Sequence, residues 1–400
     1  MNLLPKPKKI TEKGGQLLLC HSMYIVISKE ISDNGIYAAK RLQEAIRQET
    51  GLLLRLSVGE TRDGDLSLGI TETLSGQAYE ITINENGVQI LGGDGAGVLY
   101  GVETFCQILQ QYGGALPCMQ IMDAPDMPNR GYYFDQTRGR ILKLEELKKI
   151  ADRMSLYKLN QLQLYVEHTY LFRDFSEMWR DQTPITAEEI RELDSYCRER
   201  HIELVPSLAS FGHLCTLLST KTYGDLCEME DSWKEPFSFW NRMRYHTINV
   251  SDGRSLPLIK KMIAEYMQLF SSDKFNICAD ETFCLGKYKS KELAKECGIH
   301  RLYIDYVKEL AQFLVENGKI PMFWGDIIWN SPELMKELPE TMVCLNWGYA
   351  PEQREDETRA IAQTGAMQYL CPGVCGWNQW ANLIENSYKN ITRMCGYAAK

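Results

Sequence analysis

The sequence predicts an α/β protein in which a small α+β domain precedes a (β/α)8 TIM-type barrel, and the eighth strand of that barrel is missing from the chain. The 400 residues suit one domain of about 100–150 residues plus a larger one. The stretch DAPDMPNRG is typical of a linker because prolines resist helix interiors and central strands. Beyond it, apolar strands alternate with helices, as in a parallel barrel. We therefore expect an α+β domain over residues 1–125 and a barrel over residues 129–400.

The first domain is predicted to combine short strands with two helices. Alternating apolar segments predict the strands YIVIS, LSLGI, YEITI and VQILG, and NENG between the last two predicts a hairpin turn. Amphipathic spacing predicts helices over Tyr37–Glu49 and Gly97–Gln111. The second helix follows GGDGAG, which lacks the Lys-Ser/Thr of a phosphate-binding loop and follows a hairpin. A tight turn into the helix is therefore expected there, and a nucleotide site is not.

The second domain shows seven repeats of an apolar strand followed by a loop and a helix. The predicted strands are GYYFD, LQLYV, IELVPS, FNICA, PMFWG, MVCLNW and MQYLC. The predicted helices are Leu144–Tyr157, Ala187–Arg200, Leu256–Phe270, Leu302–Asn317, Pro332–Leu338, Glu352–Gln363 and Trp380–Ala399. This regular alternation favours a barrel over an open sheet.

Composition excludes several classes of partner. The formal charge is -9 and no basic run could follow a phosphate backbone, so nucleic acid is not an expected partner. The N-terminus lacks the apolar segment of a secretion signal, and no stretch approaches the length that spans a bilayer. The 13 cysteines are scattered singly, and Cys371 and Cys375 have no nearby histidine. We expect reduced thiols, a cytoplasmic location and neither a metal nor another cofactor.

The strand FNICA ends in the adjacent acids Asp280 and Glu281, at the end of the barrel where chemistry is expected. Repulsion between close carboxylates separates their titrations, so one can donate a proton while the other stays ionised. Glycoside hydrolysis needs that division of labour. The alternative is an acidic pair that only caps a helix, where acids favour the positive end of the dipole.

Other polar and aromatic residues follow neighbouring strands. Arg138 carries a fork of donors that suits paired sugar hydroxyls, and Asp135 could orient it, although a plain surface ion pair is the alternative. Aromatic faces pack against sugar C–H surfaces, and Trp324 and Trp347 are the strongest candidates. Trp329 and Trp380 are expected only to fill the rim of the barrel.

NRGYYFDQTRGR and FNICADETFCLGK resemble the first-strand and catalytic-strand motifs of glycoside hydrolase family 20, the β-N-acetylhexosaminidases. LNQLQLYVEHTY, IELVPSLASFGH, MFWGDIIW and YLCPGVCGWNQW are similar to its other strand ends, in the bacterial branch with a PG-x-x-x-W segment. LLPKPKKI and GVLYGVETFCQIL are similar to the small domain that precedes the family's barrel. The resemblance covers nearly the whole chain.

The resemblance implies an exo-acting, retaining enzyme that removes terminal GlcNAc or GalNAc from an oligosaccharide or glycoconjugate. The substrate's acetamido oxygen would attack the anomeric carbon and form an oxazolinium intermediate, with Asp280 orienting the acetamido group and Glu281 acting as acid and base. The implied substrate-binding residues are Arg138, His213, Trp324, Trp347, Tyr349, Tyr369 and Trp377. Tyr369 is favoured to bind the acetamido carbonyl, with Tyr349 as its competitor, and His213 is expected to support the carboxylates.

Three features set limits to the resemblance. Asn276, Cys278 and Ala279 stand where many members carry a histidine and glycines, and Ser207-Leu208-Ala209 replaces polar amides. The family's further strand, with a Trp and an acid, is absent after MQYLC. Because seven strands would leave two open edges, we expect a truncated, weakly active form, or a partner or rearranged segment that covers the gap.

Two other functions stay open on the sequence alone. One is a non-catalytic amino-sugar-binding protein, which would have no reason to keep an acid placed for proton donation. The other is a related glycosidase that releases a disaccharide unit.

Overall fold

The computed structural model of the chain describes residues 1–31, 34–236, 238–377 and 379–400. It divides into two compact units. The first comprises Met1–Tyr132, Leu144–Leu162 and Glu192–Glu203, and the second comprises Tyr133–Lys143, Gln163–Arg191 and Leu204–Lys400.

The first unit contains a mixed sheet of seven strands in the order β1-β7-β5-β6-β4-β2-β3. These strands are β1 Lys9–Leu18, β2 Tyr24–Ile27, β3 Arg55–Val58, β4 Leu66–Ile70, β5 Tyr79–Asn84, β6 Gly87–Gly92 and β7 Ala115–Asp123. Helices α1 Asn34–Thr50 and α2 Gly95–Tyr112 contribute fully buried residues such as Leu42 and Phe105 to one hydrophobic core with the strands.

Turn chemistry explains the two local features that the sequence predicts for this unit. The NENG hairpin is confirmed, since Asn84 pairs with Gly87. Gly87 has a φ of 135°, and a Cβ there would lie 2.4 Å from the backbone oxygen of Asp65, so glycine is required. In GGDGAG, the Asp94 carboxylate accepts a 2.8 Å hydrogen bond from Gly97 N and caps α2. The segment is a helix start.

The second sheet has seven strands that follow one another in chain order, and neighbours pair in parallel from the third strand to the seventh. They are β8 Gly131–Asp135, β9 Gln161–Val166, β10 Glu203–Leu208, β11 Lys274–Asn276, β12 Ile320–Trp324, β13 Val343–Gly348 and β14 Met367–Pro372. Within the described residues, β8 and β14 are the two edges. This is the barrel-type parallel sheet of seven strands that the sequence predicts.

Helices follow the strands of the second sheet. They are α3 Leu144–Leu156, α4 Ser176–Trp179, α5 Ala187–Glu199, α6 Cys215–Leu218, α7 Phe239–Arg244, α8 Ser255–Met267, α9 Lys291–Cys297, α10 Ile299–Glu316, α11 Asp356–Ala362 and α12 Ile384–Ala398. No helix in the described part of the chain is both long and apolar enough to span a membrane. All 13 cysteines are free thiols, as expected.

Some elements differ from their prediction. Strands β1, β3 and β7 were not predicted, in part because β1 exposes most of its residues and so lacks clean alternation. Pro332–Glu337 is a 3-10 helix, and α12 begins at Ile384, so the predicted start at Trp380 is wrong. The strand FNICA was predicted to reach Ala279, whereas β11 ends at Asn276.

Candidate active site

The early end of β11 creates the turn that carries the acidic pair. Asn276 Oδ1 accepts a 2.8 Å hydrogen bond from Cys278 N, which takes that amide away from strand pairing. Cys278, Ala279 and Glu281 then have φ values of 59°, 64° and 50°. Left-handed backbone costs a non-glycine residue about 1–2 kcal/mol and gathers at functional sites. The residues after Asn276 therefore form a strained turn instead of continuing the strand.

A buried histidine lies against both acids. His213 Nε2 is 3.3 Å from Asp280 Oδ2 and 3.3 Å from Glu281 Oε2. Burial opposes protonation of the imidazole, but the charge of Asp280 and the contacts with both carboxylates outweigh it and raise the pKa of His213 to about 10. Burial likewise disfavours the charge on Asp280, yet the His213 charge holds the pKa of that carboxyl below its usual value. The pair is therefore charged at neutral pH.

Close backbone packing sets the position of the histidine. Gly212 precedes His213, and a Cβ at Gly212 would lie 2.5 Å from the backbone oxygen of Asp280. His213 itself has a φ of 59°. The segment after β10 can approach the acidic turn this closely only because position 212 has no side chain.

A third carboxylate holds the turn from the other side. Asp326, just beyond β12, accepts a 3.0 Å hydrogen bond from the backbone N of Glu281 through Oδ2. Its Oδ1 is buried without a hydrogen-bond partner among the described residues. Burial first, and the charge of Asp280 second, raise the pKa of Asp326 to about 8. At neutral pH this group is mainly a neutral acid, which spares the site a further negative charge.

We expect the substitution Asp326→Asn to become more stabilising as the pH rises from about 5 to about 9. The pKa of Asp326 is about 8 in the folded protein, against an ordinary value of 3.8. Between these pH values the folded state binds more protons than the unfolded state does, so the free energy of unfolding of the wild type falls as the pH rises. Asparagine does not titrate, so the Tm difference between variant and wild type should grow over this window. Thermal unfolding at a series of pH values measures it.

Asp273→Asn serves as the control for this experiment, because the Asp273 side chain is 62% exposed. Its Tm difference from wild type should stay flat with pH. A flat difference for Asp326→Asn as well would show that Asp326 is ionised throughout, as an ordinary carboxylate is.

Arg138 lies beyond β8 and is fixed on several sides. Its Nε donates to Asp135 Oδ2 at 2.7 Å and lies 3.8 Å from Glu167 Oε1. Its guanidinium stands 4.9 Å from the centre of the Tyr165 ring, and Nη1 lies 3.3 Å from the sulfur of Met243. An arginine held in this way presents its donors in one orientation, which favours a binding role over a loose surface ion pair.

Helix α7 is a part of the site that sequence reasoning missed. Arg242 Nη2 donates to Glu167 Oε2 at 2.9 Å, and Tyr165 donates to Glu167 Oε1 at 3.0 Å. Glu167 is only 3% exposed, so this ion pair anchors α7 to the end of β9. The segment between β10 and α8 has no strand or helix periodicity, and nothing in its sequence indicates that Arg242 returns to the site.

The predicted aromatic residues fall into two groups. Trp324 is buried, and its ring centre is 4.9 Å from that of Tyr133 in an edge-on contact. Trp347 and Tyr349 are stacked 4.9 Å apart, and Tyr349 meets Trp377 edge-on at 4.5 Å. The second group therefore forms a continuous aromatic wall after β13 and β14.

Trp329 and Trp380, the two tryptophans expected at the rim of the barrel, have different surroundings. Trp329 donates to Asn346 Oδ1 at 2.6 Å, which is a packing role. Trp380 is fully exposed, so the expectation that it fills the rim of the barrel is wrong.

The two competing tyrosines occupy different levels of the sheet. Tyr369 pairs with Leu345, two residues before the level at which Cys371 pairs with Trp347. Tyr349 lies beyond that level, and loss of solvent around it, followed by the charge of Asp280, raises its pKa. The hydroxyl of Tyr349 therefore lies close enough to the acids to be affected by the Asp280 charge, and both tyrosines stay candidates for the acetamido contact.

Within the described residues, His213, Asp280 and Glu281 also form a group that could hold a metal ion, since one ligand atom from each lies within 4.8 Å of the others. A metal would have to replace the proton on His213, whose pKa is about 10. The 3.3 Å separations already suit an ion pair. We therefore assign these contacts to a protonated histidine between two acids.

Comparison with protein families finds matches over both parts of the chain. The family model described as glycosyl hydrolase family 20, domain 2, matches residues 1–124. The model described as glycosyl hydrolase family 20, catalytic domain, matches residues 128–397. The acidic pair, Arg138 and the aromatic wall all lie within the second match.

The individual proteins that match this chain have low sequence identity to it. A β-hexosaminidase of Porphyromonas gingivalis is 23% identical over 365 residues, which cover 82% of this chain and 46% of that relative. A β-hexosaminidase of Akkermansia muciniphila is 30% identical over 189 residues, which cover 42% and 36%. The chain thus spans less than half the length of these curated relatives. A chitobiase structure of Flavobacterium johnsoniae has a TM-score of 0.80 at 21% identity, covering 93% of this chain and 59% of that one, and shares the fold.

Proposed function

Since this chain belongs to glycosyl hydrolase family 20, we propose that it hydrolyses terminal β-linked N-acetylhexosamine residues with retention of configuration. The observation that carries the proposal is the buried His213, whose Nε2 lies 3.3 Å from both Asp280 and Glu281. The charge of His213 lowers the pKa of Asp280, and we assign proton transfer to Glu281. Two adjacent acids thus acquire two roles.

The spacing of the acids supports retention. Their ligand oxygens lie within 4.8 Å of each other. An inverting enzyme places its two carboxyl groups about 6.5–9.5 Å apart to admit a water molecule between acid and base. The pair is too close for that arrangement, which leaves retention through attack by the substrate's own acetamido group.

In the first step, the oxygen of the substrate's 2-acetamido group bonds to the anomeric carbon while the glycosidic bond breaks. Glu281 transfers its proton to the departing oxygen, so the leaving group departs as a neutral alcohol. Asp280 accepts a hydrogen bond from the acetamido N–H and stabilises the positive charge that develops on the oxazolinium ring. The negative charge of Asp280 is itself maintained by His213.

In the second step, water attacks the anomeric carbon from the face that the leaving group vacated. Glu281, now ionised, takes the proton from this water. The bond between the anomeric carbon and the acetamido oxygen breaks, and its electrons return to that oxygen. Two successive inversions give overall retention. Arg138, fixed by Asp135, would bind ring hydroxyls, and the wall of Trp347 and Tyr349 would enclose the acetamido group.

The test compares aryl β-glycosides of GlcNAc, GalNAc and glucose, with a thiazoline analogue of the oxazolinium ring as inhibitor. We expect turnover of the amino sugars, negligible turnover of the glucoside, which has no acetamido group, and much tighter binding of the thiazoline than of the product. Brisk cleavage of the glucoside would require a nucleophile from the protein and would overturn the mechanism. Binding of the amino sugars without turnover would instead favour a non-catalytic sugar-binding protein.

A further inference from the structure

Glu167 is a buried carboxylate that lies between two arginines. Its Oε2 accepts a 2.9 Å hydrogen bond from Arg242 Nη2, and its Oε1 lies 3.8 Å from Arg138 Nε. Because Glu167 is only 3% exposed, its charge depends on these neighbours and on the Tyr165 hydroxyl, which donates to Oε1 at 3.0 Å. Of the two arginines, Arg242 makes the closer ion pair.

Two carboxylates compete for the Nε atom of Arg138. Nε donates to Asp135 Oδ2 at 2.7 Å, and it is also the atom that lies 3.8 Å from Glu167 Oε1. Since Arg242 already meets the charge of Glu167, that carboxylate competes only weakly for Nε. Arg138 therefore stays on Asp135, and its two Nη groups are left for other acceptors.

Helix α7 contacts both members of this arrangement through consecutive residues. Arg242 binds Glu167, and the sulfur of Met243 lies 3.3 Å from Arg138 Nη1. A thioether is a weak acceptor, so a sugar hydroxyl can replace it as the partner of Nη1. One short helix thus bears on the orientation of Arg138 from two sides.

Helix α7 is itself held at both ends. At its start, Ser238 Oγ accepts a 3.0 Å hydrogen bond from Asn241 N. At its end, the Cys284 thiol donates to the backbone oxygen of Arg244 at 3.0 Å. The backbone that carries Arg242 is therefore fixed in place, which lowers the entropy cost of holding its side chain in one ion pair.

Loss of the Arg242 charge would leave Arg138 as the nearest cation to Glu167. His168 Nδ1 lies 3.9 Å from Glu167 Oε2, but burial lowers the pKa of that imidazole, so it is mainly neutral at pH 7. A buried carboxylate without a close partner is costly, so Glu167 would draw Arg138 away from Asp135. A displaced guanidinium would no longer meet a bound sugar in the orientation that Asp135 sets.

We propose that Arg242 is a positioning residue for sugar binding: it satisfies Glu167, so that Arg138 stays on Asp135 and keeps its Nη donors for the ring hydroxyls of the substrate. The proposal rests on the function proposed above, which assigns those hydroxyls to Arg138. Arg242 acts through Glu167 and Arg138 without touching the substrate. Its effect therefore falls on substrate binding and leaves proton transfer at Glu281 unchanged.

The experiment compares Arg242→Gln with the wild type on two substrates. One is the nitrophenyl β-glycoside of GlcNAc, and the other is its analogue without hydroxyl groups on the third and fourth ring carbons. On the first, we expect KM to rise about tenfold and kcat to change less than about twofold, because hydroxyl contacts are made alike in the ground state and the transition state. On the second, KM should match that of the wild type. Arg242→Lys, which keeps the charge, should recover much of the binding.

A second substitution separates positioning of Arg138 from simple anchoring of α7. If the unpaired charge of Glu167 causes the damage, adding Glu167→Gln to Arg242→Gln removes that charge and should recover most of the rise in KM. If Arg242 only anchors the helix, the double variant lacks the anchor as well and its KM stays high. KM is the quantity compared, because the charge of Glu167 also acts on His213 and so affects kcat separately.

Arg244→Gln is the control, because Arg244 is on the same helix and its guanidinium lies 5.2 Å from the centre of the Trp240 ring. Its KM should match the wild type on both substrates. An unchanged KM for Arg242→Gln, an equal rise on both substrates, or no recovery in the double variant would overturn the proposal. If Arg242→Gln does not fold, a high KM of the double variant overturns it alone. Failure of the wild type to hydrolyse the GlcNAc glycoside would refute the proposed function instead.

Discussion

Replacing Glu281 with glutamine is expected to lower kcat for saccharide substrates by about 10²–10⁴-fold, the usual contribution of a positioned acid or base. Glutamine keeps the shape of the side chain, and the backbone hydrogen bond to Asp326 does not involve the side chain of residue 281. The proton that the leaving oxygen needs is lost. For N-acetyl-β-glucosaminyl fluoride, whose leaving group departs with little protonation, the fall in the first step should be far smaller.

Single-turnover kinetics on both substrates measure this contrast. Glu340→Gln is a matched control, because Glu340 is exposed and should leave both rates unchanged. Equal losses of Glu281→Gln on the saccharide and the fluoride would argue against proton donation by Glu281 and would point to a general disturbance of the turn.

Replacing Asp280 with asparagine is expected to lower kcat by about 10²-fold with little change in KM. The contact between Asp280 and the acetamido N–H strengthens as positive charge develops on that group, so its loss is felt mainly in the transition state. The substitution also leaves the buried His213 with one neighbouring carboxylate, Glu281, instead of two, and we expect a loss of about 1–3 kcal/mol in the free energy of unfolding. Steady-state kinetics and denaturant unfolding measure the two effects.

The pH dependence tests the same ion pair. The pKa of Asp280 is lowered, so its contribution to stability is present above its unfolded value of 3.8 and is lost as the pH falls through the lower folded value. The pKa of His213 is raised to about 10, so its contribution is present below 6.5 and is lost as the pH rises through about 10. The stability cost of Asp280→Asn should therefore be largest between these limits.

A double-mutant cycle with His213→Gln isolates the pair, because two interacting residues give non-additive losses. Additive losses of stability for the single and double variants would contradict the ion pair. A rise in KM alone for Asp280→Asn would contradict its role in the transition state.

The order of strands and helices in the barrel domain follows from the sequence because the buried parallel strands are predominantly apolar runs. LQLYV illustrates this, since β9 is buried at every position. The apolar pattern does not identify β1, because this strand exposes nearly every residue. Its pairing with β7 is set by tertiary contact. Periodicity cannot identify a strand that has no apolar face.

The site was predictable where a residue ends a strand and hidden where a loop supplies it. Asp280 and Arg138 follow apolar runs, which made them visible as candidates. Arg242 reaches Glu167 from the short helix α7, which the sequence did not predict, so only the folded chain reveals it. The raised pKa of Asp326 also depends on burial and on the neighbouring Asp280 charge, and neither can be read from a strand end.

The left-handed turn before the acids is built without glycine at positions 278 and 279. Cys278 and Ala279 adopt φ values of 59° and 64°, which glycine reaches at the lowest cost. The conformation is held from outside, by the backbone bond from Trp324 N to Cys278 O and by the close approach of Gly212. A side chain at these two positions is thus compatible with the turn. Glycine would reach the same backbone path at a lower conformational cost, but the surrounding contacts make it unnecessary at these two positions.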